Sequence, residues 1–203
     1  MQQLDLLNPE PLEIRRGGLS LLLIPDFLNA QQSSELFTHL AKNTPWQQPR
    51  IRVYGKWHPT PRLVSFYGDP GLRYQYSSTL HGTLPWTPQL QAVRQSIETQ
   101  FRQSFNCVLL NQYRDGQDSM GWHADDEAEL GEQATIESLS LGAARDIHFK
   151  SRSAKGEKIC LSLPHGSLLL MTGDTQKYWL HHVPRRARCK QARINLTFRT
   201  ILN

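Results

Sequence analysis

The sequence lacks any apolar run long enough to cross a bilayer. The runs at residues 21–24 and 168–171, among its longest, have four residues each, whereas a transmembrane helix needs roughly 20. The N-terminus also lacks the basic segment, apolar segment and small-residue cleavage site of a secretory signal. These absences predict a protein without a signal peptide and without a membrane partner.

Cysteine is scarce as well. Cys107, Cys160 and Cys189 are widely spaced, and no two of them form a CxxC pair. An odd number of scattered thiols is typical of a reducing compartment and not of a disulfide framework. We therefore expect a cytoplasmic location, or a nuclear one if the source is eukaryotic.

Internal repeats, low-complexity segments and a proline-rich linker are also absent, which favours one domain over residues 1–203. A chain of 203 residues with 38% hydrophobic residues can bury a large core without disulfides or a structural metal. We expect a monomer. The net charge of +5 fits either a polyanionic partner or simple solubility, and charge alone does not choose between them.

Hydrophobic spacing predicts an α+β fold. Residues 19–24 form a predicted strand, Asn29 is placed to cap a helix ending near Lys42, and a second helix is expected after Pro88. From Asn106 onward, short β-rich segments alternate with turn residues, at 107–113, 136–141, 147–150, 158–163, 167–171 and 193–201. Many short strands indicate a barrel or a double-sheet jelly roll, and the helices would cover one sheet.

His123 and Asp125 form the most specific local pattern. Residues two apart on a strand share a face, so the imidazole and the carboxylate can reach one ion. With His181 as a third ligand, the set would be the two-histidine, one-carboxylate site of non-haem Fe(II) oxygenases. The alternative is a surface turn whose Asp caps a helix, and the triplet alone does not decide.

The last predicted strand supplies further polar residues. Alternation over 193–199 places Arg193, Asn195, Thr197 and Arg199 on one face. Two guanidinium groups on an inward face suit a small dicarboxylate such as 2-oxoglutarate. Asn111 and Tyr113 share a face of an earlier strand in the same way. An edge strand with a solvated polar face would give the same pattern.

At these residues the sequence resembles the AlkB family of Fe(II)/2-oxoglutarate dioxygenases. The matching segments cover about residues 50–202 in the family's order, at 111–116 (NQYRDG), 123–127 (HADDE), 138–142 (SLSLG), 164–169 (PHGSLL), 179–181 (WLH) and 193–199 (RINLTFR). Residues 53–58 (VYGKWH) and 67–69 (YGD) resemble the branch that repairs alkylated duplex DNA. The resemblance implies a double-stranded β-helix core at 106–203, a nucleotide-recognition lid with a helix at 50–105, and supporting structure at 1–49.

The resemblance implies a cofactor, Fe(II), with 2-oxoglutarate and O₂ as cosubstrates. It identifies His123, Asp125 and His181 as iron ligands, with His181 favoured over its neighbour His182 because Trp179 then keeps its matching position. The residues implied to bind 2-oxoglutarate are Asn111, Tyr113, Arg193, Asn195 and Arg199. The implied reaction couples oxidative decarboxylation of 2-oxoglutarate to hydroxylation of an alkyl carbon on a base nitrogen, which releases formaldehyde and the restored base.

The resemblance also implies contacts with alkylated DNA. A flipped base would meet Tyr76, Ser77, Asp126 and Arg145, although Asp126 is equally interpretable as an exposed loop acid. Tyr54 matches the tip of a duplex wedge, beside Trp57 as a packing residue. Phosphates would be held by residues from two basic segments, Arg50, Arg52, Lys56 and Arg62, and Arg185, Arg186, Arg188 and Lys190. His148 and His165 are expected to be structural.

The expected function is direct-reversal repair of 1-methyladenine and 3-methylcytosine lesions in DNA, in duplex and in single strands. Two other functions stay open at this point. One is a dioxygenase of the same class acting on RNA or protein, since nothing in the sequence excludes RNA. The other is a nucleic-acid-binding relative without turnover, against which the intact ligand and arginine positions argue.

Overall fold

A computed structural model describes residues 10–53, 55–76, 79–153 and 156–202. In chain order the described residues form strands β1 Leu12–Arg16, β2 Leu19–Ile24, β3 Arg50–Val53, β4 Lys56–Pro59, β5 Leu63–Gly68, β6 Arg73–Tyr76, β7 Thr79–Gly82, β8 Cys107–Tyr113, β9 Met120–His123, β10 Ile136–Gly142, β11 Arg145–Ser151, β12 Lys158–Leu163, β13 Leu168–Met171, β14 Trp179–Val183 and β15 Arg193–Arg199. The helices are α1 Ala30–Asn43, α2 Pro88–Phe101 and the short α3 Thr175–Tyr178, with a 3-10 turn at Ala128–Leu130.

Two antiparallel sheets build the body of the protein. The larger sheet has the strand order β1-β2-β13-β10-β15-β8-β5, and the smaller sheet has the order β12-β11-β14-β9. Each sheet also pairs strands that are far apart along the chain, such as β15 with β8 in the larger sheet and β14 with β9 in the smaller one. The predicted α+β jelly roll is therefore confirmed.

One hydrophobic core joins the inner faces of the two sheets. Ile136 and Met171 of the larger sheet pack with Ile147, Phe149 and Trp179 of the smaller one, all at most 4% exposed. Alternation along each strand explains this, because every second side chain points inward. Burial of these side chains is the main contribution to holding the sheets together.

The two long helices share a second core with the outer face of the larger sheet. Asn29 caps α1 through a capping box, in which its side chain accepts from the Gln32 backbone N–H. Leu36 and Leu40 of α1 are buried there, together with Leu90, Val93 and Ile97 of α2 and Ile194, Leu196 and Phe198 of β15. This packing uses one face of β15 for stability and leaves its other face to the interior between the sheets.

Two hairpins lie outside the sheets, β3 with β4 and β6 with β7. Both belong to the segment 50–105, for which the lid was predicted. All four residues of β4 are exposed, so this strand contributes little to either core. Along the described residues, no helix is long and apolar enough to span a membrane.

A close contact between two loops borders one end of the small sheet. The Gly116 backbone N–H donates to the Cys189 carbonyl (2.9 Å), and the Arg186 N–H donates to the Gly116 carbonyl (2.7 Å). A Cβ added at Gly116 would lie 1.7 Å from the Arg186 carbonyl oxygen. Only glycine therefore allows the loop after β8 to meet the loop after β14.

Candidate metal and cosubstrate site

The two histidines and the aspartate predicted to bind iron lie together. His123 ends β9 and is paired in register with His181 on β14, and their ring centres are 4.2 Å apart. Asp125 lies two residues beyond the strand, in a loop, whereas alternation had predicted it on the same strand as His123. One ligand atom from each of the three residues lies within 4.8 Å of the others.

His181 and not its neighbour His182 belongs to this group. His181 is 5% exposed and faces the interior, beside Phe149 at a ring distance of 5.8 Å. His182 lies on the opposite face of the small sheet, where it stacks on Trp122 at 3.8 Å. The alternation of β14 thus separates the two candidates in the way that the resemblance favours.

The electrostatics give the ligand atoms their metal-binding protonation states. Burial lowers the pKa of His181 to about 3, so its imidazole is neutral at neutral pH. Burial alone would raise the pKa of Asp125, but the positive charge of Arg199, smaller electrostatic interactions with the neighbouring imidazoles and the hydrogen bond from Arg199 lower it on balance. Neutral imidazole and ionised carboxylate are the forms that coordinate a cation.

These three residues fit an Fe(II) ion. The Nδ1 atom of His181 is buried without a hydrogen-bond partner among the described residues. Two imidazoles and one carboxylate leave three positions of an octahedral ion open, which is the donor set of non-haem Fe(II) oxygenases. His123, Asp125 and His181 are therefore the residues that could hold the metal.

Asp125 is held in place by two neighbours. Arg199 Nη2 donates to its Oδ1 at 2.7 Å, and both side chains are at most 6% exposed. The Gln176 side-chain oxygen accepts from the Asp125 backbone N–H at 3.0 Å, and Gln176 is buried. The aspartate is thus fixed through both its carboxylate and its main chain.

Arg193 brings a positive charge into the same interior. Its Nη2 donates to Ser140 Oγ at 2.8 Å, and its guanidinium carbon lies 5.2 Å from the centre of the Tyr113 ring. The Nε and Nη1 atoms are buried with no hydrogen-bond partner in the described part of the chain. Burial lowers the pKa of Arg193 to about 10, yet it stays charged at neutral pH. An anion with two acceptor oxygens would satisfy these donors.

Asn111 and Asn195 complete the polar lining. Asn111 Oδ1 accepts from Arg62 Nε at 2.8 Å, and Asn195 Nδ2 donates to Ser138 Oγ at 2.8 Å. Arg62 is 3% exposed, so the expectation that it faces DNA phosphates is wrong: its guanidinium points inward because it is bound to Asn111.

One cavity contains all the predicted metal and cosubstrate residues. It is lined by Leu109, Asn111, Tyr113, Met120, His123, Asp125, Glu127, Ser138, Ile147, Met171, His181, Val183, Arg193, Asn195, Thr197 and Arg199. Alternation on β8 and β15 directs the polar residues of both strands into it. The metal group lies at one side and Arg193 belongs to the same lining, so a small dicarboxylate could touch both.

The predicted base contacts are placed less completely. Asp126 is exposed beside the cavity and accepts from Arg152 Nη2 at 2.6 Å. Arg145 is 2% exposed outside the lining of that cavity, where it donates to the carbonyls of Asp115, Asp118 and Pro184 at 2.6–3.1 Å and packs over Tyr113. It thereby braces the loops around the site. Ser77 lies outside the described residues, and Tyr76 is described only as part of β6.

The basic residues predicted to hold phosphates fall on two surfaces. Arg50, Arg52 and Lys56 are exposed on the β3–β4 hairpin. Tyr54, the predicted wedge, lies outside the described residues. Trp57 is 53% exposed, so its expected packing role is wrong: β4 has no buried face to receive it.

The second basic surface follows β14. Arg185, Arg188 and Lys190 are exposed there, whereas Arg186 is paired with Asp146. His165 is structural as expected, since its Nδ1 accepts from the Gly142 N–H at 2.9 Å.

Sequence reasoning missed three contributors to the site. Arg62 was interpreted as a surface charge, while Gln176 and Ser140 were not singled out. Each acts through a residue distant in sequence. The pairing of β5 with β8 and of β10 with β15 brings Arg62 and Ser140 to their partners, and Gln176 reaches Asp125 from α3. For Ser140 the sequence offered one signal, a polar residue at an inward position of β10. Ser138 shows the same signal, so it does not single out Ser140.

Known proteins resemble this chain in both sequence and fold. The family model of the 2OG-Fe(II) oxygenase superfamily matches residues 20–199. The solved structure described as "The structure of OsALKBH1" is similar over 94% of this chain and 100% of its own, with a TM-score of 0.62 and 17% identity, and therefore supports the fold alone.

Three relatives show the similarity in sequence. The DNA oxidative demethylase ALKBH2 of Homo sapiens is 38% identical over 96% of this chain and 78% of its own length. The Bos taurus protein of the same name is 41% identical over 84% of this chain, which spans 65% of that relative. The alpha-ketoglutarate-dependent dioxygenase alkB homolog 3 of Mus musculus is 35% identical over 95% of this chain and 74% of its own length.

Fe(II) and 2-oxoglutarate are the cofactor and cosubstrate that the family implies, and the His123, Asp125 and His181 group with its adjoining arginines fits them. The match of the family model over most of the chain, and identities of 35–41% to named relatives, agree with that site. The chain belongs to the 2OG-Fe(II) oxygenase superfamily and, within it, to the AlkB family.

Proposed function

We propose that this protein repairs DNA by oxidative removal of alkyl groups from base nitrogens, with 1-methyladenine and 3-methylcytosine as typical lesions. The observation that carries the proposal is the single cavity in which His123, Asp125 and His181 meet Arg193. The names of the relatives, DNA oxidative demethylase among them, support the choice of DNA as substrate.

In this proposal His123, Asp125 and His181 hold Fe(II), and Arg193, Asn111, Tyr113, Asn195 and Arg199 bind 2-oxoglutarate. When bound, the iron with 2-oxoglutarate and O₂ supplies the oxidation of the alkyl carbon, and the protein supplies position and environment. The oxidised carbon leaves as formaldehyde, so the base is restored without a cut in the backbone.

The residues around the ligands prepare the site before any substrate enters. Arg199 keeps Asp125 ionised and fixed, so the carboxylate need not reorganise to coordinate a cation. Arg193 offers buried N–H donors to a carboxylate of the cosubstrate, where low dielectric makes the charge pair strong. The hydrophobic side chains of Leu109, Ile147 and Met171 give the same cavity an apolar part beside its charged groups.

The substrate side of the proposal rests on residues that the resemblance to the AlkB family implies. A base must leave the helix to be oxidised, and we assign Tyr76, Ser77 and Asp126 to the pocket that receives it. The buried Arg145, first expected to touch the base, instead braces the loops at Asp115, Asp118 and Pro184. Asp126 would exchange Arg152 for the exocyclic amino group of adenine or cytosine. Tyr54 would fill the gap in the duplex, with phosphates held by Arg50, Arg52, Lys56, Arg185 and Arg186.

The proposal also covers organisation and location. We assign residues 1–49 to support, 50–105 to nucleotide recognition and 106–203 to catalysis within one monomeric domain. A cytoplasmic location, or a nuclear one in a eukaryote, is supported by the three free cysteines.

A substrate panel tests the function. The protein is incubated with Fe(II), ascorbate and 2-oxoglutarate and with 1-methyladenine in duplex DNA, single-stranded DNA, RNA or a free nucleoside, and a methylated peptide serves as a further arm. Mass spectrometry should show replacement of the methyl group by hydrogen in DNA, accompanied by succinate. Turnover confined to RNA or peptide would overturn the substrate, and absence of turnover with iron bound would overturn the activity.

A further inference from the structure

The outer face of the small sheet carries a second group of metal-ligating side chains. Asp146 and His148 on β11 and Cys160 on β12 have one ligand atom each within 4.8 Å of the others. They lie on the face opposite His181, because alternation directs Ile147 and Phe149 of the same strand into the core. The group is therefore separate from the candidate iron site.

Strand register holds these residues in place. His148 pairs directly with Cys160 on one side and with His182 on the other, and the His148 and His182 rings are 5.0 Å apart. Side chains directly opposite on neighbouring strands have Cβ atoms about 5 Å apart. Across β12, β11 and β14 the row therefore reads thiol, imidazole and imidazole, with the Asp146 carboxylate two positions along β11.

The guanidinium of Arg186 already contacts Asp146 and His148. Arg186 Nε donates to Asp146 Oδ2 at 3.1 Å, and its Nη2 lies 3.3 Å from His148 Nε2 and also contacts Asp146. This ion pair is partly exposed to solvent, so it is weak and can be exchanged. The Asp146 carboxylate and the His148 imidazole therefore bind the Arg186 guanidinium, and a metal cation can compete with it for them.

We propose that Asp146, His148 and Cys160 form a second metal site for a Zn(II)-class divalent cation, with His182 adjacent as a further imidazole. Thiolate, imidazole and carboxylate are the donors that zinc takes in proteins. Ligand atoms of a tetrahedral zinc lie about 3.5 Å apart. Side-chain rotations that move each ligand atom by about an ångström would therefore close the group around the ion. Binding displaces Arg186 from Asp146.

The thiol must lose its proton when the metal binds. Burial and the neighbouring Asp146 raise the pKa of Cys160, so the sulfur carries a proton at neutral pH without metal. The metal–sulfur bond forms as this proton passes to solvent, and no electron is transferred. Binding also links β11 and β12, and it should stabilise the folded protein because the unfolded chain has no assembled site.

Cobalt(II) titration of the metal-free protein separates this site from the iron site. Only a thiolate ligand gives a strong near-ultraviolet sulfur-to-cobalt charge-transfer band, and the His123, Asp125 and His181 group has no sulfur. We expect wild type to bind two equivalents of Co(II) and to show the band. Zn(II) should abolish the band by competition and raise the Tm.

Matched variants assign the ligands. Cys160→Ser and His148→Ala should lose the band and one equivalent of Co(II) while keeping the other, which also proves that they fold. Cys189→Ser, a cysteine outside the group, should keep both, and Asp125→Ala should keep the band. Arg186→Gln should tighten binding at the second site by up to about fivefold. A folded wild type without the band, or a band that survives in Cys160→Ser, would overturn the proposal.

Discussion

The side chains that decide this site are buried charges. Four arginines, Arg62, Arg145, Arg193 and Arg199, are each at most 5% exposed. Burying a charge is costly unless it is paired and hydrogen-bonded. Arg199 meets Asp125, and Arg145 meets three carbonyl oxygens, but the contacts of Arg193 are to the neutral Ser140 and Tyr113. Arg193 also lines the cavity and has two buried N–H groups without a partner among the described residues, so an anionic ligand would satisfy it.

Replacing Arg193 by Met should weaken 2-oxoglutarate binding and leave metal binding intact. Removing a charge-assisted hydrogen bond from a buried site costs about 1.5–3 kcal/mol, so the KM for 2-oxoglutarate should rise by about tenfold or more. Steady-state kinetics over a range of 2-oxoglutarate concentrations measures this, with exposed Arg188→Met as the control. An unchanged KM would show that the cosubstrate binds elsewhere.

The sequence predicts a strand well where apolar residues alternate or run continuously along it. It predicts site residues well where they lie on such a strand. The bounds 107–113 and 158–163 are those observed for β8 and β12, because alternating or continuous apolar residues mark them. The exposed β4 has no buried face, and the short β9 and β14 carry histidines and tryptophans whose burial depends on pairing partners far along the chain. Arg62 and Gln176 escaped prediction for the same non-local reason.

The β3–β4 hairpin element predicts a difference between duplex and single-stranded substrates. Tyr54 stands between the two strands in the sequence, and in the proposed role it fills the space of a flipped base, which a single strand does not require. Tyr54→Ala should therefore reduce turnover on duplex DNA by about tenfold and change turnover on single strands little. Rates on the two substrates measured side by side decide it, and equal losses would reject the wedge.

Strand β10 contains a carboxyl group that makes stability depend on pH. Glu137 is fully buried with both oxygens lacking a hydrogen-bond partner among the described residues, and burial raises its pKa to about 8. The unfolded chain releases this proton near pH 4.5, so between these values the folded state binds more protons. The contribution of Glu137 to the free energy of unfolding therefore falls as pH rises from about 4.5 to about 8.

Glu137→Gln should remove that dependence. At pH 8 and above, the variant should be more stable than wild type, on the order of a few kcal/mol, and the difference should shrink as pH is lowered. Urea unfolding at several pH values provides the measurement. Parallel stability profiles for the two proteins would contradict the assignment of a buried neutral carboxyl.

At the scale of the whole molecule, the net charge is +5, and the positive side chains fall into a buried set and an exposed set. Arg62, Arg145, Arg193 and Arg199 are buried in or around the cavity and are not available to a surface partner. Two groups of exposed basic residues lie on the β3–β4 hairpin and after β14. A modest net charge is thus compatible with focused basic surfaces for a polyanion.

The exposed charges predict the salt dependence of DNA binding. Removing one side chain that neutralises a phosphate should lower the slope of log K against log salt concentration by about 0.9. Replacement of Arg50, Arg52 and Lys56 by Ala should therefore flatten the slope by up to about 3, whereas the exposed Lys158→Ala on β12 should leave it unchanged. Binding titrations at several salt concentrations test this, and equal slopes for all proteins would remove the hairpin from the interface.

The proposed function requires that one cavity couple 2-oxoglutarate oxidation to dealkylation of DNA. The most direct measurement follows succinate, formaldehyde and restored base together during turnover of a methylated duplex, in wild type and in Asp125→Ala. Wild type should give equal amounts of the three products, and the variant should give none above background while retaining its fold and its DNA binding. Restored base without succinate, or turnover that survives in Asp125→Ala, would contradict this coupling.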